Sequence, residues 1–573
     1  MSIILGINKD HSDSSACLLI DGNLIGAVAE ERLGNRIKHD SAFPVNSIRW
    51  LIKFAKLKFS DIDVVAVSND PFSNISQRFI HSFDFSKLNL LKKIKSKIYN
   101  SSSVKDEILR LCERNGENKK NLKFKIYNVE HHLTHVASAY YLSKFTDTTA
   151  ALSYDGSGDA VSIMLAECKD NNIKVLERVF LPKSLGHFYS ATCNMIGFKN
   201  FGEEYKVMGL SAYGEDKYSD YFDELIGYDE KSIVRQKEIF NYNSIDYKKN
   251  HVIKFNRNIF PNKSFEKFSQ ESKDIAKSLQ LSFEKIVMKI IKRLENKVRS
   301  KNLVMAGGCA MNGLVNGRIF KESQFKNHFI QPASTDDGTA LGAAYYCWHN
   351  HFKNKKRFVM KHAFWGPSYD DEEILSSIKA KNLNFKKFDT IDLLTQSAAE
   401  IISDGNVVGW YQGRSEWGSR ALGNRSILAN PANINMKDII NSKIKKRESF
   451  RPFAPSILEE DVAKYFECDI RSEFMNHIVK FKDEWRKTFP SVCHIDNTAR
   501  LQTVNKENNP LFYKLISELK RITNHGLILN TSFNENEPIV DTPSQAIDCF
   551  LRTDMDFIFL GEYMISKNHS LLN

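Results

Sequence analysis

Three histidines lie close together in the segment NVEHHLTHVASAYYLSKF, at positions 131, 132 and 135. If the segment is helical, His131 and His135 are four residues apart and project from the same face. Two imidazoles placed in this way can share one metal ion, as in helical His-x-x-x-His sites. A polar helix face or a partly buried histidine cluster is the alternative. A metal site therefore requires further ligands from elsewhere in the chain.

Two acidic strand ends could supply those ligands. Residues 149–154 form a short strand that delivers Asp155 in the string DGSGD, and the strand end IQPA delivers Asp336 in the string STDDGTA. An acidic residue at such a junction can complete a metal shell begun by two histidines. A glycine-rich hairpin turn at Asp155 and a helix N-cap at Asp336 or Asp337 are the alternatives.

A strand followed by two glycines indicates a nucleotide site. Residues 303–306 form the predicted strand, Gly307 and Gly308 follow it, and residues 309–312 open the next helix. Backbone N–H groups at a helix N-terminus can bind phosphate. The chain also begins with a strand, the polar turn KDHSDSS and two further strands, an opening similar to that of actin-like ATPase and sugar-kinase domains. Such a turn could cradle phosphate oxygens.

Basic side chains are concentrated in glycine- and proline-containing strings of the second half of the chain. The guanidinium fork of arginine matches phosphate oxygens two at a time. The strings therefore predict a site for phosphate-bearing small molecules, with a generally basic surface as the alternative. The residues are Arg414, Arg420, Arg425, Lys443, Lys445, Lys446, Arg447 and Arg451, with Arg500 as a further candidate.

Length and composition limit the class of protein. A chain of 573 residues is too long for one ordinary core, so two or more domains are expected, with a boundary in the basic connector 351–367. The net charge of +12 suits an anionic ligand, and no Arg/Lys-dense tail indicates a DNA binder. The nine cysteines include no C-x-x-C pair, which argues against a disulfide framework or a zinc ribbon. The absence of a basic leader and of long apolar runs predicts a cytoplasmic location.

Nine strings spread along the chain resemble one enzyme family. They are EHHLTHVASA, SYDGSGD, GEEYKVMGLSAYG, AGGCAMNG, STDDGTALGAA, GRSEWGSRALGNRSILANP, KRESFRPFAPS, DNTARLQTV and NTSFNENEPIV. By these strings the chain resembles the carbamoyltransferases typified by nodulation-factor, cephalosporin and tobramycin carbamoyltransferases. The resemblance implies an α/β fold, with an actin-like domain over residues 1–350 and a YrdC-like α/β domain over residues 368–573.

The resemblance also implies a reaction. Carbamoyl phosphate would supply carbamate, which attacks the α-phosphate of ATP in the C-terminal domain and gives carbamoyl adenylate and pyrophosphate. The N-terminal domain would transfer the carbamoyl group to a hydroxyl of a small acceptor, a sugar or a secondary metabolite. The expected cofactors are ATP with Mg²⁺, carbamoyl phosphate, and a divalent ion. Two histidines with carboxylates leave that ion open as iron, zinc or manganese.

The family pattern assigns roles to individual residues. The implied metal ligands are His131, His135, Asp155 and Asp336, with His132 as a structural neighbour. The implied adenylate-binding residues are Asp155, Gly156, Gly186, Gly307, Gly308, Cys309, Ala310, Met311 and Asn312. Those implied for carbamoyl phosphate and ATP are Arg414, Arg420, Arg447, Arg451, Asn530 and the catalytic Arg500.

The general base is where the sequence departs from the family. In tobramycin-type members this base is a histidine immediately before aspartate in an HD-x-S-A string, whereas this chain has Ser12 before Asp13. His11 is displaced by one residue and is the predicted catalytic base. Lys38 falls on a family position that contacts the transferred group or phosphate, and it is the remaining catalytic candidate.

Two other functions share parts of this pattern. Threonylcarbamoylation of tRNA would use both halves and suits the basic charge, and a nucleotide-binding scaffold would have a decayed site. The small-molecule enzyme is preferred because the strings match that family. Its partner would be a small hydroxyl acceptor rather than a membrane or nucleic acid, and a homodimer is allowed. Residues 60–125 and 215–275 are predicted to shape the acceptor pocket.

Overall fold

The computed structural model describes residues 1–82, 104–237 and 265–567. Parts of the two segments that were predicted to shape the acceptor pocket therefore lie outside the described residues. No helix within the described ranges has both the length and the apolar content to cross a membrane.

The chain divides into two compact units. The first consists of Met1–Glu30 and His39–Met360, and the second of Glu31–Lys38 and Lys361–Asn573. The break after Met360 lies within the connector in which the sequence placed a boundary. The sequence did not predict that the short segment Glu31–Lys38 belongs with the second unit. Its Arg36 donates to Gln545 Oε1 at 2.8 Å and to the carbonyl oxygen of Pro538 at 2.6 Å.

Two five-stranded sheets of the same topology form the framework of the first unit. The strands of this unit are β1 (Ile3–Asn8), β2 (Ser15–Ile20), β3 (Asn23–Ala29), β4 (Val64–Val67), β5 (Lys125–Asn128), β6 (Thr149–Gly158), β7 (Val161–Lys169), β8 (Asn172–Phe180), β9 (Ile226–Asp229), β10 (Ile233–Gln236), β11 (Asn302–Ala306) and β12 (Asn327–Ile330). The orders are β3-β2-β1-β4-β5 and β12-β11-β6-β7-β8. In each sheet an antiparallel meander of three strands is extended by two parallel strands. This duplicated order is that of actin-like domains, so the predicted fold class, α/β with an actin-like first domain, is confirmed.

Helices cover these sheets, and the central strands are buried on both faces. All six residues of β1 are buried, which explains its nearly unbroken apolar sequence IILGIN. The helices of the first unit are Val45–Phe54, Ile75–Ser82, 104–114, His131–Tyr140, Leu185–Met195, Glu204–Leu210, Ser219–Leu225, Gln270–Lys297, Gly313–Glu322 and Thr339–Tyr346.

Small residues let two of these helices approach each other closely. A Cβ at Gly342 would lie 1.8 Å from the carbonyl oxygen of Thr134, and one at Gly6 would lie 2.3 Å from that of Ala340. Helix Thr339–Tyr346 therefore packs against both β1 and the histidine helix His131–Tyr140. This packing brings the residues that precede Thr339 towards the histidines.

Two local predictions differ from the structure. The strand that was predicted to end at residue 154 continues as β6 to Gly158, with an irregular register between Tyr154 and Gly158. Asp155 therefore lies within an irregular strand rather than in a turn. Residues 309–312 do not open a helix: a short 3-10 turn, Gly308–Met311, precedes a helix that begins at Gly313. Asn312 caps that helix, a position that asparagine favours.

The second unit is built on one mixed sheet of nine strands. These are β13 (Lys386–Lys387), β14 (Val408–Tyr411), β15 (Arg425–Ala429), β16 (Ala454–Leu458), β17 (His477–Lys480), β18 (Thr498–Val504), β19 (Leu527–Ser532), β20 (Phe557–Leu560) and β21 (Tyr563–Ser566), in the order β13-β21-β20-β14-β15-β19-β16-β18-β17. The helices are Glu30–Leu33, Asp371–Ala380, Ile391–Ser403, Met436–Ile439, Val462–Tyr465, Pro510–Thr523 and Pro543–Arg552. Helices Ile391–Ser403 and Pro510–Thr523 pack on the sheet around Trp410 and Phe512.

Candidate metal centre and anion site

The histidine segment forms helix His131–Tyr140, and its three histidines are fully buried. Asp159 Oδ2 accepts a hydrogen bond from the backbone N–H of His131 at 2.9 Å, which satisfies a donor that the helix itself leaves unpaired. Gly158 permits the close approach of β6, because a Cβ there would lie 2.0 Å from the His131 ring. These two contacts fix the first turn of the helix against the sheet.

Four side chains converge at the distances expected of metal ligands. The Nε2 atoms of His131 and His135 are 3.1 Å apart, and they lie 3.3 and 3.5 Å from Asp336 Oδ1. Both nitrogens lie 3.8 Å from Asp155 Oδ2. Ligand atoms placed about 2.1 Å from one ion are separated by about 3.0–3.4 Å, so these spacings need only small shifts. The two nitrogens and two oxygens could therefore hold one divalent cation.

The electrostatics of the cluster favour a cation at the same point. Burial opposes a charge on His131, but Asp336, together with hydrogen bonding to both carboxylates, raises its pKa to about 10. Burial and the charge of Asp155 oppose ionisation of Asp336, yet the histidines lower its pKa to about 2. Hydrogen bonds from the histidines likewise outweigh burial and hold the pKa of Asp155 well below its usual range. Both carboxylates are thus ionised at neutral pH, and a proton or a metal ion can compensate them.

His132 has a different environment from its neighbours. Its Nδ1 lies 2.8 Å from Ser153 Oγ and its Nε2 lies 2.9 Å from the carbonyl oxygen of Val161. Burial, followed by the charges of His131 and His135, lowers its pKa well below the usual value. His132 is therefore a neutral residue with both ring nitrogens engaged between the helix and the sheet.

Asp155 connects the four-ligand cluster with the glycine turn. Its Oδ1 accepts a hydrogen bond from the backbone N–H of Gly308 at 2.9 Å, which leaves Oδ2 towards the histidines. Gly307 has φ 98°, and a Cβ there would lie 2.2 Å from a carbonyl oxygen of β6. A Cβ at Gly186 would lie 2.8 Å from the backbone nitrogen of Gly156. The structure thus brings all the glycines of the predicted adenylate site together.

The N–H groups of this turn differ from the sequence expectation. The N–H of Gly307 donates to the carbonyl oxygen of Ser334 at 2.8 Å, and that of Gly308 donates to Asp155. Both N–H groups thus have partners within the protein, and phosphate binding at this turn stays a prediction. The glycines instead leave space beside Asp155, because they carry no side chain.

The remaining residues of the turn, 309–312, lead into the helix that begins at Gly313. Cys309, Ala310 and Met311 lie in the 3-10 turn, and Asn312 Oδ1 accepts a hydrogen bond from the N–H of Val315 at 3.2 Å. The side chain of Asn312 also exchanges two hydrogen bonds with Gln280, at 2.9 and 3.1 Å. Burial raises the pKa of Cys309 well above its usual value, so its thiol is not ionised.

Asp336 and Asp337 divide two roles between them. Asp337 Oδ1 accepts hydrogen bonds from Thr335 Oγ1 at 2.7 Å and from the N–H of Gly338 at 3.0 Å. It therefore satisfies the local backbone, as a capping residue would. This leaves the carboxylate of Asp336 to face the histidines.

The polar turn between β1 and β2 approaches the same carboxylate. Ser12 Oγ lies 3.4 Å and His11 Nδ1 lies 3.8 Å from Asp336 Oδ2. The His11 ring also stacks on His131, with 4.9 Å between the ring centroids. The structure therefore places the predicted base His11 beside the four-ligand cluster.

Arg500 lies on β18 and Asn530 lies on β19, two strands of the second unit that are separated by β16. Arg500 Nη1 donates to the carbonyl oxygen of Met475 at 3.0 Å, and burial, followed by the charge of Arg420, lowers the pKa of Arg500 well below its usual range. Asn530 Nδ2 donates to oxygens of residues 421, 456 and 502 at 3.0–3.2 Å. Its Oδ1 is buried and accepts no hydrogen bond from the described residues.

Other predicted arginines have backbone or aromatic partners. Arg414 donates to the carbonyl oxygens of Gly366 and Trp365 at 2.8 and 2.5 Å, and burial lowers its pKa to about 10. Arg447 Nε donates to Asn441 Oδ1 at 2.7 Å, and its guanidinium lies 4.7 Å from the centre of the Phe453 ring. Arg425 is fully buried among carbonyl oxygens. Arg451 lies 3.6 Å from Glu448.

Lys445 is a buried cation whose importance the sequence did not show. Its Nζ lies within hydrogen-bond distance of four neutral oxygens of Ser532 and Asn534, which its N–H groups share. Burial lowers its pKa well below the usual value, and the charges of Arg447, Arg451 and Lys38 act in the same direction. The structure thus places Lys38 with the arginines of the second unit. The alternation of charged and apolar residues in KIKKR does not reveal which lysine is buried.

Comparisons with known proteins cover both units. The family model described as Carbamoyltransferase N-terminus matches residues 3–345, and that described as Carbamoyltransferase C-terminus matches residues 399–567. An uncharacterised protein of Synechocystis sp. (strain ATCC 27184 / PCC 6803 / Kazusa) is 36% identical over 99% of this chain and 97% of its own length. Nodulation protein NolNO of Sinorhizobium fredii (strain NBRC 101917 / NGR234) is 36% identical over 98% of this chain and 80% of its own length. The 3'-hydroxymethylcephem-O-carbamoyltransferase of Streptomyces clavuligerus is 30% identical over 41% of this chain and 42% of its own length.

Proposed function

The chain belongs to the carbamoyltransferase family, and on that premise we propose that it is an ATP-dependent O-carbamoyltransferase. It would act on a hydroxyl group of a small acceptor through a carbamoyl-adenylate intermediate. The observation that carries the proposal is the four-ligand cluster of the first unit, which Asp155 joins to the glycine turn. A relative named as an O-carbamoyltransferase of a hydroxymethyl compound supports the choice of a small hydroxyl acceptor.

His131, His135, Asp155 and Asp336 would hold a divalent metal ion, and iron, zinc and manganese all accept such ligands. An ion of this kind, when bound, polarises a carbonyl group and stabilises the charge that develops on its oxygen. The space beside Gly307, Gly308 and Gly186 would accommodate the adenylate, while residues 309–312 would line it. Asp155 keeps the turn in place through its hydrogen bond to Gly308.

The second unit would form the carbamoyl adenylate. Arg420, Arg447, Arg451 and Arg500 would bind the phosphates of ATP and carbamoyl phosphate, because guanidinium groups pair with phosphate oxygens. The buried Oδ1 of Asn530 would accept a hydrogen bond from the carbamoyl NH₂ group. Water would first cleave carbamoyl phosphate to carbamate and inorganic phosphate. A carbamate oxygen would then attack the α-phosphorus of ATP, and the bond from that phosphorus to the oxygen shared with the β-phosphorus would break, so that pyrophosphate leaves. Mg²⁺, when bound, would compensate the charge of the phosphates. Lys38 would add positive charge here, whereas Arg414 would act by holding residues 365–366.

The first unit would then transfer the carbamoyl group. The acceptor oxygen attacks the carbamoyl carbon, and the bond from that carbon to the phosphate oxygen breaks, so that AMP leaves. Removal of the hydroxyl proton requires a base near the cluster. The sequence predicts His11 for this role, and its position 3.8 Å from Asp336 keeps it at the transfer site.

A two-stage assay of the full-length chain tests the proposal. The first stage measures carbamoyl-phosphate-dependent ATP–pyrophosphate exchange in the presence of Mg²⁺. The second adds iron(II), zinc or manganese and three probe acceptors, namely 3-hydroxymethylcephem, N-acetylglucosamine and glycerol, and detects O-carbamoyl products by mass spectrometry. We expect exchange without acceptor and product only with acceptor and metal.

The same assay separates the competing functions. Exchange that leads to product only with threonine and tRNA would assign the chain to tRNA modification. No exchange and no product under any of these conditions would contradict the proposal and favour a nucleotide-binding scaffold.

A further inference from the structure

The loop that joins β14 to β15 in the second unit carries a buried carboxylate. Glu416 is 3% exposed. Its Oε1 accepts hydrogen bonds from the backbone N–H groups of Leu422, Asn424 and Arg425 at 2.8, 2.9 and 3.1 Å. Hydrogen bonds to an ionised acceptor are roughly twice as strong as those between neutral groups. One side chain therefore fixes the course of the backbone from residue 416 to residue 425.

Both ends of this loop also have anchors other than Glu416. Near its start, Ser415 Oγ donates to Asp541 Oδ1 at 2.8 Å. At its end, the guanidinium of Arg425 is fully buried and donates to the carbonyl oxygen of Gln412 at 2.6 Å. The hydrogen bonds of Glu416 are thus needed chiefly for the residues that lie between these anchors.

Arg420 is one of the residues between the anchors. Its side chain is half-buried, and it lies near Arg500, because burial and then the charge of Arg420 lower the pKa of Arg500. Two guanidinium groups at short range repel each other. A loop without internal hydrogen bonds would relieve this repulsion by turning Arg420 towards solvent.

The peptide unit between Ala421 and Leu422 is bound at both of its edges. Its N–H donates to Glu416, and its carbonyl oxygen accepts a hydrogen bond from Asn530 Nδ2 at 3.2 Å. In a trans peptide unit these two groups point in opposite directions. Glu416 and Asn530 therefore hold the chain from opposite sides, immediately after Arg420.

A second buried amide strengthens the side on which Asn530 lies. Gln502 Nε2 donates to the carbonyl oxygen of Leu422 at 2.8 Å, and Gln502 Oε1 accepts from Asn530 Nδ2 at 3.0 Å. Both amides come from strands of the sheet, whereas Glu416 belongs to the loop itself. Removal of the Glu416 carboxylate would leave residues 421–422 held from one side only.

We propose that Glu416 is a positioning residue, which holds Arg420 beside Arg500 for the binding of carbamoyl phosphate. This role rests on the proposed function, since it concerns two of the arginines proposed there to bind phosphates. Glu416 acts on the loop backbone, and its effect on the reaction passes through Arg420. All three N–H groups use Oε1, an acceptor that glutamine also provides. Oε2 is buried and accepts no hydrogen bond from the described residues.

Pyrophosphate exchange by the full-length chain, with carbamoyl phosphate as the varied substrate, tests this role. We expect Glu416→Ala to lower kcat/KM for exchange by about 10²-fold, because misplacing a binding group by about 1 Å can cost that much. Glu416→Gln keeps an acceptor at the position of Oε1 but loses the charge, so it should lose only about tenfold.

The matched control is a buried carboxylate of the first unit. Glu295 is 7% exposed, and its Oε1 accepts a hydrogen bond from the N–H of Gln324 at 2.7 Å. Glu295→Ala should leave exchange within about twofold of the wild type, because it is remote from the loop. Thermal unfolding of each variant shows whether a loss of exchange accompanies a loss of stability.

A double-mutant cycle with Arg420→Ala separates positioning from a general loss of stability. If Glu416 acts through Arg420, Glu416→Ala should lower exchange by less than about twofold further once Arg420 is alanine. Losses that multiply across the cycle would show that Glu416 acts independently of Arg420 and would overturn the inference.

The other outcomes are equally decisive. Exchange by Glu416→Ala at the wild-type kcat/KM would overturn the inference while the proposed function stands. If Glu416→Ala does not fold, the cycle is made with Glu416→Gln, and wild-type exchange by that variant would then overturn it. If the wild type itself gives no exchange, the proposed function fails and the inference fails with it.

Discussion

The four-ligand cluster of the first unit and the arginine-rich loops of the second unit differ in how their charges are compensated. In the cluster, two carboxylates face two histidines at 3.3–3.8 Å, so both signs of charge are present. In the second unit, Lys445 Nζ lies within hydrogen-bond distance of four neutral oxygens, and Arg500 donates to a carbonyl oxygen. Burial lowers the pKa of both cations.

From this difference we infer which kind of ligand each region would bind. The cluster has the donor atoms and the charge for a cation, and a proton on His131 can take its place. In the second unit, Lys445 and Arg500 are bonded to neutral oxygens. A buried positive charge without a counter-charge is costly. We therefore expect the second region to gain more from binding an anion than the first gains from binding a metal. A substitution in one region should therefore leave the activity of the other region unchanged.

Ligand removal in each region should give the largest effects. We expect the double variant His131→Ala/His135→Ala to lose bound metal and to lower acceptor carbamoylation by about 10³-fold, with pyrophosphate exchange retained. Arg500→Ala should lower exchange by about 10²–10³-fold and keep its metal. Elemental analysis and the two-stage assay measure both properties. Loss of metal and of exchange in the same variant would show that the regions are not independent.

The sequence predicted the cluster better than it predicted the charges of the second unit. His131 and His135 follow from helical spacing, and Asp155 and Asp336 follow from their places at strand ends, which are local features. Gly308 donating to Asp155 is not local, since 153 residues separate the two. The sequence therefore predicted a glycine turn but not the hydrogen bond that joins it to Asp155.

Long-range pairing also explains what the sequence missed elsewhere. The carboxylate of Asp13 meets His39 across 26 residues, and neither residue belongs to a periodic pattern. Lys445 is buried although its neighbours Lys443 and Lys446 are exposed. The α/β class and the actin-like order were predictable, because consecutive residues determine the strands and the turns between them. The place of Glu31–Lys38 in the second unit depends on tertiary contacts alone.

Replacement of Lys445 tests the predicted anion site of the second unit. Carbamoyl phosphate at about 100 times its Kd should stabilise the wild type by about 2.7 kcal/mol. We expect Lys445→Met to weaken binding by about tenfold or more, because one cation next to the anion site is lost. The matched control is Lys443→Met, an exposed lysine in the same string. Thermal unfolding at several concentrations of carbamoyl phosphate measures the affinity of both variants. Equal stabilisation of Lys445→Met and the wild type would remove this lysine from the anion site.

Metal binding to the cluster should release a proton. The pKa of His131 is about 10 without metal, so at pH 8 an ion displaces about one proton. Affinity should then rise by about tenfold per pH unit between pH 7 and 10. In the metal-free chain, the raised pKa contributes stability that is fully present below about pH 6.5 and is lost as the pH rises through about 10. Calorimetry in two buffers of different protonation enthalpy counts the protons, and a count of zero at pH 8 would contradict this charge balance.

We expect the smallest effect on metal binding from a change at His132, which lies beside the cluster without facing its ligands. Ser153→Ala removes the hydroxyl 2.8 Å from His132 Nδ1 and leaves a buried nitrogen unpaired, which should cost about 1–3 kcal/mol of stability. Metal affinity should stay within about twofold of the wild type, because both nitrogens of His132 point away from the four ligands. Ser143→Ala is the matched control, since its buried hydroxyl donates to the carbonyl oxygen of Tyr140 and accepts from the backbone N–H of Phe145. Thermal unfolding with and without metal measures both the stability and the metal affinity. A large loss of metal affinity in Ser153→Ala would mean that His132 orients the ligands, and the separation between neutral and ligating histidines would fail.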